Sequence, residues 1–233
     1  MSLLTIIKNA CYALPLSAPS VVIGSTDTTV LKLLRLANED GKSLAGRHTW
    51  QALTSEQTFT TVATDAQTSS IPSDFDRIVP ESMFNRTKRR EVTGPIDERT
   101  WQQYKATLVV PVFAQFRIRG DTILMAPTQT AGETIAYEYI TTKWCQSSGG
   151  TAQTAWAADT DTSRLNEEAH TLGIIWRFKQ SAGIDFMADF QKAERYIADL
   201  IMRDGSRPRL RSDVTSIERI PIPPQVPDTL VFT

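Results

Sequence analysis

The 233 residues carry 41% hydrophobic and 22% charged side chains with a formal net charge of -1. This is the composition of a globular chain with enough length for one large core or two small ones. The near-neutral balance excludes a bulk electrostatic grip on nucleic acid or an anionic membrane and leaves any such contact to local patches. Cys11 and Cys145 form neither a disulfide framework nor a metal-ligand spacing and read as two reduced core residues. No stretch approaches the roughly 18 apolar residues of a membrane span. The Met1–Asn9 segment has no basic residue ahead of its short apolar run, so a soluble chain made in a reducing cytoplasm is expected.

In chain order, residues 2–14 predict a helix with Leu3, Ile6, Ile7, Ala10 and Leu14 on one face, ended by Pro15 and Pro19. Gly24-Ser25-Thr26-Asp27 signals the start of a second helix over 27–47, with Val30, Leu33, Leu34, Ala37 and Leu44 on its apolar stripe. Lys32, Arg35, Glu39, Asp40 and Lys42 fall mostly elsewhere on it. From Trp50 to Val62 the Thr-rich pattern suits strands, followed by a turn-rich segment to Asp76 and a second possible strand around Arg77–Pro80. Residues 94–106 carry a compact helix signature, with Asp97 as cap and Ile96 and Trp101 placed as a hydrophobic staple. Ala114–Arg119 and Thr122–Met125, joined by Gly120-Asp121, predict a tight β-hairpin. Glu133–Thr142 is a further strand, and the small, polar residues 145–160 read as a long exposed loop.

Helical period then returns. Ser163 is the expected cap, with Glu167 and Glu168 in the first turn, a stripe of Leu165, Ala169, Leu172, Ile175 and Trp176, and a stop at Gly183. A last helix repeats Phe186, Phe190, Ala193, Ile197, Leu200 and Ile201 and stops at Gly205. The expected fold is α+β: a four-helix bundle-like unit made of N- and C-terminal helical hairpins (1–48 and 163–205), an antiparallel β-rich insertion (49–162), and an extended arm (206–233). The arm holds five of the twelve prolines, Arg207, Arg209 and Arg211 at spacings of two, and an apolar end.

Searching for chemistry turns up no phosphate-binding, dinucleotide, zinc-protease or nucleophile-elbow motif. His48 and His170 lack an adjacent partner motif, and His170 beside Glu167 reads as part of a solvated face. Asp159, Asp161, Glu167 and Glu168 form the densest acidic group, and helix capping is the simpler reading than a divalent metal. The strongest basic cluster is Arg86, Lys88, Arg89 and Arg90, either a turn guarding a sheet edge or a contact to DNA phosphates. In an extended chain Arg207, Arg209 and Arg211 point to one side, which suits a carboxylate-bearing groove or a phosphate backbone.

The order of landmarks resembles the head–tail adaptor (head-to-tail connector) proteins of tailed bacteriophages. It is carried by Gly24-Ser-Thr-Asp-Thr-Thr-Val30, Leu33-Leu34-x-Leu36-Ala-Asn38-x-x-Gly41, Arg47-His48-x-Trp50, Ile71-Pro72-x-Asp74-Phe75-Asp76-Arg77, Trp101-Gln-Gln-Tyr104, Phe116-Arg-Ile-Arg-Gly120, Glu138-Tyr139 and Leu172-Gly173-x-x-Trp176-Arg177-Phe178. The resemblance implies a non-enzymatic virion subunit, assembled in the host cytoplasm. It would form a ring, commonly of twelve copies, between the portal and the tail tube or nozzle, with double-stranded DNA passing through without sequence specificity. On that reading Arg207, Arg209, Arg211, Ile220, Ile222, Leu230, Val231 and Phe232 are the candidate portal contacts, and Arg86, Lys88, Arg89 and Arg90 the candidate DNA-channel or surface patch. No cofactor, metal or membrane partner is expected. The alternatives are a DNA-binding or DNA-packaging accessory protein and, more remotely, a hydrolase using the Asp159–Glu168 acids.

Overall fold

Local sequence sets each helix end. Ser2 Oγ accepts from Thr5 N–H, Asp27 Oδ1 from Thr29 N–H at 2.7 Å, and Asp97 Oδ1 from Thr100 N–H at 3.1 Å, three caps that satisfy otherwise orphaned donors. The structure, a computed structural model, describes residues 1–107 and 111–205; the arm at 206–233 lies outside the described residues.

The elements run α1 (Leu3–Ala13), α2 (Thr28–Arg47), a 3₁₀ turn (Gln51–Leu53), β1 (Thr54–Thr60), β2 (Ala66–Gln67), β3 (Phe75–Ile78), β4 (Phe84–Asn85), β5 (Arg90–Glu91), α3 (Glu98–Ala106), β6 (Gln115–Arg119) and β7 (Thr122–Ala126). They continue with β8 (Thr134–Thr141), β9 (Cys145–Gln146), β10 (Ala152–Gln153), β11 (Thr162–Ser163), α4 (Glu167–Ser181) and α5 (Met187–Asp204). The fold is α+β, and its described sheets are antiparallel. No described helix is long and apolar enough to cross a membrane.

β8 organises the largest sheet. β1 pairs with it along its whole length, from Thr54↔Ile140 to Thr60↔Thr134, while β3 and β4 share its other side and β5 follows β4. β2, β7 and β6 form a second sheet. Phe59, Ile135, Tyr137 and Tyr139 from the first meet Phe116, Ile123 and Met125 from the second in one core. α3 covers the other face of β7, where Trp101 packs with Leu124 and Ala126. That double coverage explains the unbroken apolar run Ile123-Leu-Met125, since successive side chains point to opposite faces and both faces are buried.

The second large core is helical. α4 touches α1, α2 and α5, and is buried on nearly every side from Ala169 to Ile175. Leu3, Ile6, Ile7, Leu33 and Ile174 are almost fully buried there, each contributing on the order of 2 kcal/mol. Trp50, Leu53, Ile140, Trp144, Cys145 and Trp156 enter the same core from the middle of the chain. α4 ends as expected at Gly183, with Ile184 N–H bonded to Lys179 C=O and Gly183 N–H to Gln180 C=O.

Three expectations are corrected. Asn166, not Ser163, caps α4, its Oδ1 accepting from Ala169 N–H, and Ser163 belongs to β11. Residues 145–160 are not one exposed loop: β9 pairs with β10 and β11, and Cys145 and Trp156 are buried. His170 does not lie on a solvated face but is 1% exposed, and Asp40, although set off the apolar stripe of α2, is 4% exposed.

Candidate functional site

The basic cluster folds as a tight hairpin. Asn85 pairs with Arg90, and residues 86–89 make the turn, with Arg89 in the left-handed region at φ 54°. Asn85 holds this turn together: its Oδ1 accepts from Lys88 N–H at 2.8 Å and its Nδ2 donates to Glu133 Oε2 at 2.6 Å. Lys88 Nζ reaches the other oxygen of the same buried carboxylate at 2.6 Å, and Thr87 Oγ1 accepts from Thr134 N–H. Burial alone would raise the Glu133 pKa, but Lys88, Asn85 and Thr130 together hold it below the usual carboxylate value.

The four cations therefore differ. Lys88 is tied to Glu133 and Arg86 to Glu56, whereas Arg89 and Arg90 are exposed and form no ion pair within the described residues. Beside them lies a cleft of about 100 Å³ bordered by Lys88, Arg90, Val92, Phe113 and Gln129, with Val112 and Phe113 strongly exposed at its mouth. A shallow depression on the outer face of the large sheet is lined by Glu56, Phe84, Arg86, Ala136 and Glu138. Exposed cations next to exposed apolar side chains on a rigid sheet are the equipment of a contact surface. The eight candidate portal contacts, Arg207, Arg209, Arg211, Ile220, Ile222, Leu230, Val231 and Phe232, lie outside the described residues.

Sequence reasoning missed a buried polar cluster between α2 and α4. Asp40 Oδ2 lies 3.0 Å from His170 Nδ1, Ser163 Oγ lies 2.8 Å from His170 Nε2, and Arg177 Nη1 donates to Asp40 Oδ1 at 2.6 Å. The order Ser–His–Asp is that of a hydrolytic triad, yet the surroundings give it a different task. Ser163 Oγ already accepts from Leu165 N–H, and His170 is enclosed by the rings of Trp144 and Trp156. The cluster clamps α2 to α4. Gly173 makes the approach possible: a Cβ there would stand 2.0 Å from Asp40 Oδ1, just as one at Gly41 would meet the Trp144 ring at 2.4 Å. The readable signal is His170, Gly173 and Arg177 at spacings of three and four, one face of a helix.

Three of the four acids of the 159–168 stretch have structural partners. Asp159 accepts from the backbone N–H groups of Val22 and Ile23, and Asp161 from those of Ala157 and Ala158. Glu167 pairs with the N-terminal amine. Among the described residues no group of three or more His, Cys, Asp and Glu is placed to hold a metal ion.

The distinctive features of this α+β frame are surface charge, exposed apolar side chains and internal clamps. The profile of the SU10 adaptor protein family matches residues 1–216, and the chain belongs to that family, a phage adaptor with a structural role. The matched region runs past the end of α5 and takes in Arg207, Arg209 and Arg211. A search of curated proteins finds no match.

Proposed function

We propose that the chain is the ring-forming subunit, in about twelve copies, that joins the phage portal to the tail tube or nozzle and surrounds the passing duplex. The observation that carries this reading is the adaptor-family match over residues 1–216. The helical unit and the arm, through Arg207, Arg209, Arg211, Ile220, Ile222, Leu230, Val231 and Phe232, would meet the portal; the β-rich region would face the tail. Arg89 and Arg90, the two cations of the hairpin without ion pairs among the described residues, would contribute sequence-independent phosphate contacts, multiplied by ring symmetry. Adaptor membership speaks for assembly as the mode of action rather than catalysis.

Free subunits are expected to be monomeric or weakly associated, with the ring forming on the portal as template. Sedimentation velocity of the chain alone and with purified portal rings tests this: a slow species alone and a portal-bound species in the mixture are expected. The same sedimentation with the portal omitted and duplex DNA added addresses the accessory-protein alternative. Tight, steeply salt-sensitive duplex binding by the free subunit would favour that alternative. With Lys88 and Arg86 already paired to Glu133 and Glu56, only weak binding is expected.

A further inference from the structure

β1 is an open edge. In β8, the carbonyls of Thr134 and Glu138 accept from Arg86 and Val79 N–H, and their own N–H groups donate to Thr87 and Ser82 hydroxyls. The even-numbered residues of β8 thus face β4 and β3, and the odd ones face β1. Through the register, Ser55, Gln57 and Phe59 bond to β8, while the backbone groups of Glu56, Thr58 and Thr60 point outward. Those outward groups meet no partner among the described residues. A seven-residue edge without proline is a template for another strand.

The chain itself arrives at this edge. Asp204, the last residue of α5, accepts through Oδ2 from Gln51 N–H at 2.9 Å, and Gln51 begins the single 3₁₀ turn that leads into β1. The described chain therefore ends beside the Thr54 end of β1. Residues 209–220, Arg-Leu-Arg-Ser-Asp-Val-Thr-Ser-Ile-Glu-Arg-Ile, are free of proline between Pro208 and Pro221 and rich in β-branched side chains.

The face it would cover has matching charge. Glu56 and Glu138 stand directly opposite each other on the outer face, and like charges in that position repel. Arg86 offsets Glu56, but Glu138 forms no ion pair within the described residues.

We propose that, in the free subunit, residues 209–215 of the same chain add to β1 as a parallel strand, with Arg211 beside Glu56. In this register Arg209, Arg211 and Asp213 would fall on the acidic outer face, two cations against one added carboxylate, and Leu210 and Val214 on the inner face, the latter beside Phe59, with Pro208 at the strand start. Ile220, Ile222 and Leu230–Phe232 stay available to an outside partner, and Arg209 and Arg211 would reach the portal only once the segment leaves β1. The proposal is independent of which partner that is, so its failure would leave the adaptor reading untouched.

Site-resolved amide exchange on the full chain and on a chain ending at Gly205 tests it. Exchange at Glu56, Thr58 and Thr60 should be about tenfold or more slower in the full chain. Ser55, Gln57 and Phe59, bonded to β8 in both, report that both are folded. Arg211→Glu should abolish most of the difference, and Arg211→Lys should keep it. A Thr58→Cys/Asp213→Cys pair should form a disulfide within one chain, Cys11 and Cys145 being buried. Equal exchange in the two chains, or disulfides formed only between chains, would overturn the proposal.

Discussion

Asp40 carries two buried partners at once, and that makes it the most consequential single side chain in the helical core. Its removal leaves Arg177 and His170 enclosed without their acceptor, and breaking a buried ion pair from one side costs about 3–5 kcal/mol. Asp40→Ala should lower the unfolding free energy by that amount in urea titrations. Gly173→Ala pushes a methyl group onto the same carboxylate and should cost about 1–3 kcal/mol. The double variant should lose less than the sum, because truncating the carboxylate at position 40 clears the space that a methyl group at position 173 needs. Strict additivity would mean the two residues do not act on one another. The cysteines yield a second check at this scale. Burial, with Asp161 nearby, pushes the Cys145 thiol up to about 12, and burial raises Cys11 too. Neither should react with a thiol reagent at pH 8 until the chain unfolds. At this scale the sequence shows only half of each pair: His170, Gly173 and Arg177 share a visible helical face, but Asp40 lies 130 positions from His170 and nothing local announces it.

Elements with a strong period were legible. α1, α2, α5 and the β6–β7 hairpin fall close to their expected limits because caps, apolar spacing and alternation agree there. Two-residue strands such as β4, β5, β9 and β10 were not, because two residues carry no period and are defined by their partners. The misplaced cap of α4 has a related cause: Ser163 and Asn166 are both good capping residues in one window, and pairing with β9 takes Ser163 into a strand. The basic hairpin is held by such a partner, Glu133. Its pKa is lowered on folding from an ordinary value of 4.5, so its stabilisation is complete above that value and is lost as pH falls through the lower folded value. Glu133→Gln should destabilise by about 1–2 kcal/mol at pH 7, and the gap to the parent chain should close below pH 4.5 in thermal melts followed across pH. A gap constant down to pH 3 would show that the carboxylate charge does not matter. By contrast, Arg89→Ala and Arg90→Ala should leave stability within about 0.5 kcal/mol, as surface changes without partners do.

For the whole molecule, the sequence made the class of fold legible and left the sheet order obscure. Which strands neighbour β8 depends on pairings between distant parts of the chain, such as Thr54 with Ile140, and those are decided by shared cores rather than local pattern. The adaptor family read from ordered landmarks is the one found over residues 1–216. That membership gives the chain a structural role as a phage adaptor, and in the proposed reading it acts by docking on the portal. The most direct test of that claim is electron microscopy of purified portal rings mixed with the full chain and with a chain ending at Gly205. The account predicts a ring of added density at one end of the portal with the full chain and its weakening or loss without residues 206–233. A portal left bare by the full chain, or a stable ring formed by the truncated chain in isolation, would contradict it.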